Sequence, residues 1–183
     1  MAMLRIRLSY SVYILTLTAL LLSSCTSMRP VATVPAGLSK ADKYALVKKY
    51  EQLTGKHISM RRSLPLYVCI DKWMGTPYRY GAKGSSGTDC SGFTGNVYHE
   101  VYHKELPRSS EDQYKACRRI RRRRLREGDL VFFKTDKSKN ISHVGIYLGN
   151  DRFVHASTRK GVRIDDLEDK YYAETFVRGG RPR

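Results

Sequence analysis

The 183-residue sequence has few acidic residues and no long apolar run beyond its amino terminus. Its 17 Asp and Glu residues stand against 34 Lys and Arg residues, which gives a formal net charge of +17. No segment after residue 24 has the ~20 consecutive apolar residues that a membrane-spanning helix needs. The sequence also has no internal repeat and no low-complexity tract apart from one cluster of arginines. These absences argue against a multispan membrane protein and against a repeat array.

The amino terminus has the pattern of a bacterial lipoprotein. Arg5 and Arg7 precede an apolar stretch from Val12 to Leu22, which is too short to span a bilayer but has the length of a signal-peptide core. It ends in the letters LSSC, which fit a lipobox with cleavage before an acylated Cys25; an ordinary secretory signal is the alternative. We therefore predict a signal peptide over residues 1–24, a lipidated tether over 25–38, and one domain over 39–183 that begins with a helix.

Cys90 is the first candidate catalytic residue. A glycine-rich loop precedes it, and the apolar spacing in CSGFTGNVYHEVY predicts a helix that begins at Cys90 and has Asp89 as its N-cap. The positive end of a helix dipole favours a thiolate and can lower a cysteine pKa to roughly 3.5–7.5. A buried structural cysteine at a helix start is the alternative.

Two histidines supply the groups that a thiol nucleophile requires. The segments HVGIYLG and RFVHAST predict two antiparallel strands joined by a turn between Leu148 and Arg152. Such a hairpin brings His143 and His155 to the same end of the ribbon, although each alone is compatible with a structural role. Together with Cys90 they predict a cysteine hydrolase in which one histidine is the base and the other orients it.

A rival motif lies on the helix that follows Cys90. His99, Glu100 and His103 form the HExxH pattern of zinc metallopeptidases. At ~100° per residue, His99 and His103 lie on the side of the helix opposite its apolar face, and no third ligand is marked. We therefore expect solvated histidines, with no metal and no cofactor.

Five segments in this order resemble the NlpC-type bacterial cell-wall cysteine peptidases, and most closely the Spr-like murein endopeptidase lipoproteins: GTPYRYGAKGSSGTDCSGF, ELPRSS, LREGDLVFF, HVGIYLGN and FVHAST. The match runs from about Leu64 to Val177. The resemblance implies a papain-like α+β fold, with helices packed on an antiparallel sheet, and hydrolysis of peptidoglycan stem-peptide amides that involve diaminopimelate. Two departures are Ala82, where the pattern has a second glycine, and an additional basic run after Cys117.

The resemblance also implies roles for six residues. It makes Cys90 the nucleophile, His143 the base and His155 the residue that orients it. It further implies a hydroxyl from Tyr78 in the site and contacts with substrate from Asp89 and Ser91. A non-catalytic wall-binding lipoprotein and an acyl transfer to an amine both remain open.

The positive charge is densest over residues 118–126, where seven arginines occur. Such a run suggests nucleic-acid binding, but secretion argues against that partner. We expect peptidoglycan stem peptides and a membrane, reached through the lipid on Cys25, as partners of a monomer. The expected location is the cell envelope, at the outer membrane facing the periplasm. The arginine run itself is interpreted as a charged edge strand, with a patch that binds anionic wall or lipid groups as the alternative. Cys69 and Cys117 are interpreted as two buried thiols, with a disulfide between them as the alternative.

Overall fold

A computed structural model describes residue 34, residues 37–136 and residues 140–183. Within them, five helices accompany a six-stranded antiparallel sheet. The helices are α1 (Lys40–Thr54), α2 (Leu64–Trp73), α3 (Cys90–Tyr102), α4 (Ser110–Ala116) and α5 (Lys170–Thr175). A short ribbon is formed by β1 (Lys83–Gly84) and β2 (Gly87–Thr88). The sheet contains β3 (Cys117–Ile120), β4 (Leu130–Phe133), β5 (His143–Gly149), β6 (Arg152–Ser157), β7 (Gly161–Asp166) and β8 (Phe176–Pro182), in the order β3-β8-β4-β5-β6-β7.

Helix α1 has a capping residue at each end. Helix α1 follows Ser39, whose hydroxyl accepts a hydrogen bond from the Asp42 N–H at 3.1 Å, and it stops at Gly55, where φ is 62°. A left-handed residue at this position is typical of a helix end and is easiest for glycine. Helices α4 and α5 were not predicted, because seven and six residues are too few to show a clear helical period.

The sheet is apolar on both faces. In β4, Leu130 and Phe132 belong to the main core beneath the helices, whereas Val131 and Phe133 belong to a second cluster on the opposite face. This division follows from the alternation of side chains along a strand. Tyr172 of α5 packs against the second cluster and covers part of that face. The main core therefore fixes α3 against the sheet and fixes the start of α3 near the ends of the central strands.

The arginine run begins on an edge strand, as predicted. Strand β3 pairs only with β8, and Arg118 and Arg119 in it are exposed. Arg122 turns back and pairs with Asp151 at 3.0 Å and with Glu168. The prediction of buried thiols is confirmed as well, since both remaining cysteines in this part of the chain, Cys69 and Cys117, are free and buried.

The predicted signal peptide and most of the predicted tether, including Cys25, lie outside the described residues. Val34 and Leu38, near the end of the tether, pack against the main core as partly buried side chains. Among the described residues, no helix combines the length and the apolar character needed to cross a membrane.

Candidate active site

Cys90 is the first residue of α3, as predicted, and only 6% of it is exposed. Asp89 is the N-cap, and its Oδ1 accepts a hydrogen bond from the Gly92 N–H at 2.7 Å. The chain before the helix folds tightly over this turn, because a Cβ on Gly92 would lie 2.5 Å from the Ala82 carbonyl oxygen. Ala82 does not have a positive φ, so the departure from glycine at this position is accommodated without strain.

Burial controls the acidity of the Cys90 thiol. It raises the pKa to about 11, although the backbone N–H of Val144 hydrogen-bonds the sulfur and favours the thiolate. The negative charge of Asp89 raises the pKa further. The expected lowering of the pKa was therefore wrong, because desolvation outweighs the helix terminus at a site this enclosed. A thiolate here needs a proton acceptor that becomes its counter-ion.

The two predicted histidines lie side by side. His143 is the first residue of β5 and His155 is in the middle of β6, and the two strands form the predicted hairpin. The Nε2 atom of His143 is 2.7 Å from Nδ1 of His155, with the rings nearly perpendicular at 88°. The backbone N–H of Val144, the residue that follows His143, hydrogen-bonds the Cys90 sulfur. The structure therefore brings His143 and His155 into contact, and the strand that begins at His143 touches the thiol through its second residue.

Three residues beyond the predicted set continue this chain of polar contacts. The Nε2 atom of His155 is 2.9 Å from Oδ2 of Asp165, and the Tyr172 hydroxyl donates to the same oxygen at 2.9 Å. Nη2 of Arg163 is 2.6 Å from Asp165 Oδ1. Sequence reasoning missed all three. The alternation in GVRID, which puts Arg163 and Asp165 on one face of β7, is the signal that could have found two of them.

On one side, Cys90 borders a cavity of about 470 Å³. Tyr78 also lines this cavity, and its pKa is raised to about 12 by burial and by the charges of Cys90 and Asp89, so its hydroxyl stays protonated at neutral pH. The phenol is therefore available as a hydrogen-bond donor near the thiol. This location suits the role implied for it by the resemblance.

Asp89 and Ser91 line the same cavity but already have protein partners. Asp89 Oδ2 accepts hydrogen bonds from Arg108 Nη2 at 2.7 Å and from the Gly81 N–H at 2.9 Å. Nη1 of Arg108 reaches Asp89 Oδ1 and Ser91 Oγ, each at 3.0 Å. Direct contact of Asp89 and Ser91 with substrate stays a prediction. Arg108, which Asp89 and Ser91 hold through these hydrogen bonds, lines the same cavity with a side chain that is 46% exposed.

His143 borders a second cavity, of about 520 Å³. It is lined by Thr135, His143, His155, Ser157, Thr158, Arg159, Tyr171 and Tyr172. Arg159 is exposed and is the only residue among these that has a full charge when the histidines are neutral. The thiol and the imidazole thus border two different cavities.

The HExxH residues lie away from this site. His99 Nδ1 is 2.5 Å from Glu105 Oε1, and Lys72 Nζ is 2.5 Å from Glu100 Oε1. His103 ends α3 with a positive φ of 50°. Within residues 37–136 and 140–183, no cluster of three or more His, Cys, Asp or Glu side chains has the arrangement to hold a metal ion. The zinc hypothesis gains no support from the described part of the chain.

Comparisons with known proteins agree on one family. The family model that matches is described as the NlpC/P60 family, and it covers residues 75–181. A Haemophilus influenzae protein named "Probable endopeptidase NlpC homolog" is 45% identical over 128 residues, which cover 70% of this chain and 67% of that protein. The "Murein DD-endopeptidase MepS/Murein LD-carboxypeptidase" of Escherichia coli is 35% identical over 164 residues, which cover 86% of this chain and 84% of that protein.

Solved structures give the same result. An NlpC/P60 family protein from Bacillus cereus matches with a TM-score of 0.60 and 29% identity, over 64% of this chain and 39% of that one. The chain therefore spans about two fifths of the length of that structure. The prediction of a papain-like α+β fold with helices on an antiparallel sheet is confirmed. With a family model that matches more than half of its residues and relatives aligned over most of its length, this chain belongs to the NlpC/P60 family.

Proposed function

We propose that this chain is a thiol-dependent peptidoglycan endopeptidase, in which Cys90 is the nucleophile, His143 is the base and His155 orients His143. One observation carries the proposal: His143 and His155 are in buried contact at 2.7 Å, and the residue that follows His143 hydrogen-bonds the Cys90 sulfur through its backbone N–H. The names of the relatives support the substrate class, since the Escherichia coli relative is a murein DD-endopeptidase.

The reaction begins from a neutral thiol and a neutral imidazole. As Cys90 Sγ attacks a stem-peptide carbonyl, its proton passes to Nδ1 of His143, because Nε2 of that ring is engaged by His155. Backbone N–H groups at the start of α3, together with the Tyr78 hydroxyl, stabilise the oxyanion. His143 then protonates the leaving amine and the C–N bond breaks. Water hydrolyses the thioester through the reverse transfers and restores the thiol.

Incubation of the purified protein with peptidoglycan fragments tests this function, with the products identified by mass. We expect new free amines and carboxylates from amide hydrolysis in the protein and none in Cys90→Ala. The second candidate, a non-catalytic wall-binding protein, predicts binding to intact peptidoglycan without products in either form. Condensation products formed with an added amine would indicate transfer in place of hydrolysis.

The two cavities support a proposal for the bond. His143 must face the leaving amine, so the amine part of the substrate lies in the cavity that contains Arg159. In the D-alanyl to diaminopimelate crosslink, the carbon that bears this amine also bears a free carboxylate, which a guanidinium binds well. In the γ-D-glutamyl to diaminopimelate bond of a tetrapeptide stem, that carbon bears a peptide carbonyl instead. We therefore propose that the crosslink is the preferred bond.

Isolated crosslinked muropeptides and a free tetrapeptide with an amino-terminal L-alanine distinguish the two bonds. We expect faster hydrolysis of the crosslinked substrate, and a tenfold or greater rise of its KM in Arg159→Gln, in line with a lost charge-assisted hydrogen bond of about 1.5–3 kcal/mol. Lys160→Gln, in the same turn, is the matched control and should leave KM unchanged. Efficient hydrolysis of the tetrapeptide alone contradicts the proposed bond while it supports the endopeptidase function.

We also propose that the protein is held at the cell envelope by a lipid on Cys25. The lipobox letters LSSC support this, and the resemblance implies the outer membrane because residue 26 is Thr and not Asp. Two or more acyl chains give stable anchoring. Fractionation of cells that produce the full-length chain should place it with membranes, and Cys25→Ser should release it or block its processing. Equal membrane association of both forms would contradict the lipid anchor.

A further inference from the structure

We infer that Asp165 is a positioning residue that fixes which ring nitrogens of His155 and His143 carry a proton, with Arg163 setting the orientation of the group at position 165. The inference rests on the proposed function, since it explains how His143 is kept as a base. The four side chains form one continuous series of contacts from Arg163 to His143.

The two rings need such control because both are enclosed. His143 is 7% and His155 is 1% exposed, and burial lowers the pKa of each below its ordinary value, well below in the case of His143. Both imidazoles are therefore neutral near pH 7. A neutral imidazole has one N–H donor and one bare nitrogen acceptor, and the two tautomers place them oppositely. Only the tautomer of His143 with a bare Nδ1 can take a proton from Cys90.

A carboxylate at position 165 permits one arrangement. An ionised carboxylate only accepts hydrogen bonds, so the 2.9 Å contact with Asp165 Oδ2 requires the proton of His155 to be on Nε2. Nδ1 of His155 is then bare and must accept from Nε2 of His143 across 2.7 Å. The remaining nitrogen of His143, Nδ1, is therefore bare. Asp165, which acts through His155, thus determines which nitrogen of His143 is the base.

The carboxylate is held ionised by its neighbours. Burial alone would raise the pKa of Asp165, but hydrogen bonds from His155 and Tyr172 and the charges nearby bring it below its ordinary value. The Tyr172 hydroxyl donates to Oδ2 at 2.9 Å, and Arg163 pairs with Oδ1 at 2.6 Å. Each carboxylate oxygen therefore has a defined partner, and the side chain cannot turn without breaking both contacts.

Arg163 determines how the amide of an Asp165→Asn variant would be oriented. In Asp165→Asn, the guanidinium attracts the amide oxygen to the Oδ1 position, which leaves the NH₂ group facing His155 Nε2. The Tyr172 hydroxyl, which is 3.2 Å from His155 Nε2, accepts the second hydrogen of this NH₂ group. His155 then accepts at Nε2 and donates from Nδ1, so His143 accepts at Nε2 and carries its proton on Nδ1. The ring that faces Cys90 becomes a donor in place of a base. The substitution thus reverses both tautomers with almost no change in shape.

The test compares Asp165→Asn with Asp166→Asn on crosslinked muropeptides. Asp166 is the matched control, because it is the next residue of β7 and its carboxylate pairs with Arg152 at 3.0 Å and not with a histidine. A buried amide in place of the carboxylate that orients a catalytic histidine can lower kcat by up to about 10⁴-fold. Here, one ring further from the thiol, we expect a loss of roughly 10²-fold, and less than twofold for Asp166→Asn.

A double variant separates orientation from structural support. Adding Arg163→Met removes the cation that holds the amide oxygen, so the amide can turn its oxygen to His155 and activity should rise at least fivefold above Asp165→Asn. If Asp165 only supported the fold, the second substitution would lower activity further. That outcome, or full activity in Asp165→Asn, overturns the inference, while inactivity of Cys90→Ala continues to support the proposed function.

Nitrogen NMR on ¹⁵N-histidine-labelled wild-type protein gives a readout that does not require any variant to fold. We expect His143 and His155 to be protonated on Nε2 near pH 7, and His143 to change to Nδ1 in Asp165→Asn. Protonation of wild-type His143 on Nδ1 would refute the inference whatever the variants do.

Discussion

Two histidine pairs in this molecule match the sequence patterns of catalytic sites, and the structure places them in opposite environments. His143 and His155 lie on neighbouring strands, almost fully buried, with ring nitrogens 2.7 Å apart. His99 and His103 lie at the end of α3, where the side chain of His99 is 70% exposed. The surroundings of each ring decide this difference, and not the spacing in the sequence, which is twelve residues for the first pair and four for the second. Burial and a fixed partner give the first pair one arrangement, whereas solvent leaves the second pair free of any constraint from the core.

The largest effect expected from the enclosed site is that of Cys90→Ala. Without the sulfur no thioester forms, so kcat/KM on crosslinked muropeptides should fall by roughly 10⁴-fold or more. The methyl group fits the space of the thiol, and the thermal unfolding midpoint should stay close to that of wild type. Wild-type turnover in this variant would remove the enclosed pair from the catalytic site altogether.

His143→Ala should approach the same severity. The raised pKa of Cys90, about 11, means that the thiol scarcely ionises at neutral pH without an adjacent base. General acid and base catalysis contributes roughly 10²–10⁴-fold, and one ring supplies both steps here. Single-turnover acylation with an activated ester should lose this factor. Partial recovery with added imidazole would sharpen the assignment, and an unchanged acylation rate would contradict it.

His155→Asn should lower kcat by roughly tenfold, which is less than the loss expected for His143→Ala. An asparagine at this position can still accept from His143 with its amide oxygen and donate to Asp165 with its NH₂ group, so orientation weakens without being lost. The ratio of kcat in His155→Asn to kcat in His143→Ala measures how much more the reaction depends on the base than on the residue that orients it. A loss as large as that in Cys90→Ala, in a protein that remains folded, would show that His155 does more than orient its neighbour.

The sequence predicted the backbone of this site better than its energetics. The start of α3 at Cys90 and the hairpin that joins His143 to His155 followed from periodicity, capping and turn residues, which are local properties. Asp165 was missed because its meaning depends on the register of β7 against β6, where Arg163 lies opposite His155. The predicted direction of the Cys90 pKa shift was wrong, because the depth of burial is a property of the assembled core. The residues at a helix terminus do not reveal that depth.

The pH dependence of kcat/KM tests the burial of His143 and His155. The expected change in activity is smaller than in the variants above. Protonation of His143 removes the base, and because burial lowers its pKa well below the ordinary value, the acid limb should lie at a lower pH than for a free imidazole. An imidazole of ordinary pKa, ~6.5, would lose roughly three quarters of its neutral form at pH 6. We expect most of the activity to persist at pH 6, without an alkaline limb below about pH 10 because the thiol pKa is about 11. An acid limb centred near 6.5 would indicate an exposed ring.

The smallest effect belongs to the exposed pair. His99→Ala combined with His103→Ala should leave kcat/KM within twofold of wild type, because neither ring lies near Cys90 and the contact between His99 and Glu105 lies at the surface, where it contributes little to stability. Treatment with a strong chelator should also leave activity unchanged. The HExxH pattern makes the opposite prediction, since a zinc peptidase would lose activity in both experiments and regain it on addition of zinc. Loss of activity on chelation, with recovery by zinc, would place the catalytic centre at the end of α3. The enclosed pair beside Cys90 would then be a structural feature of the core.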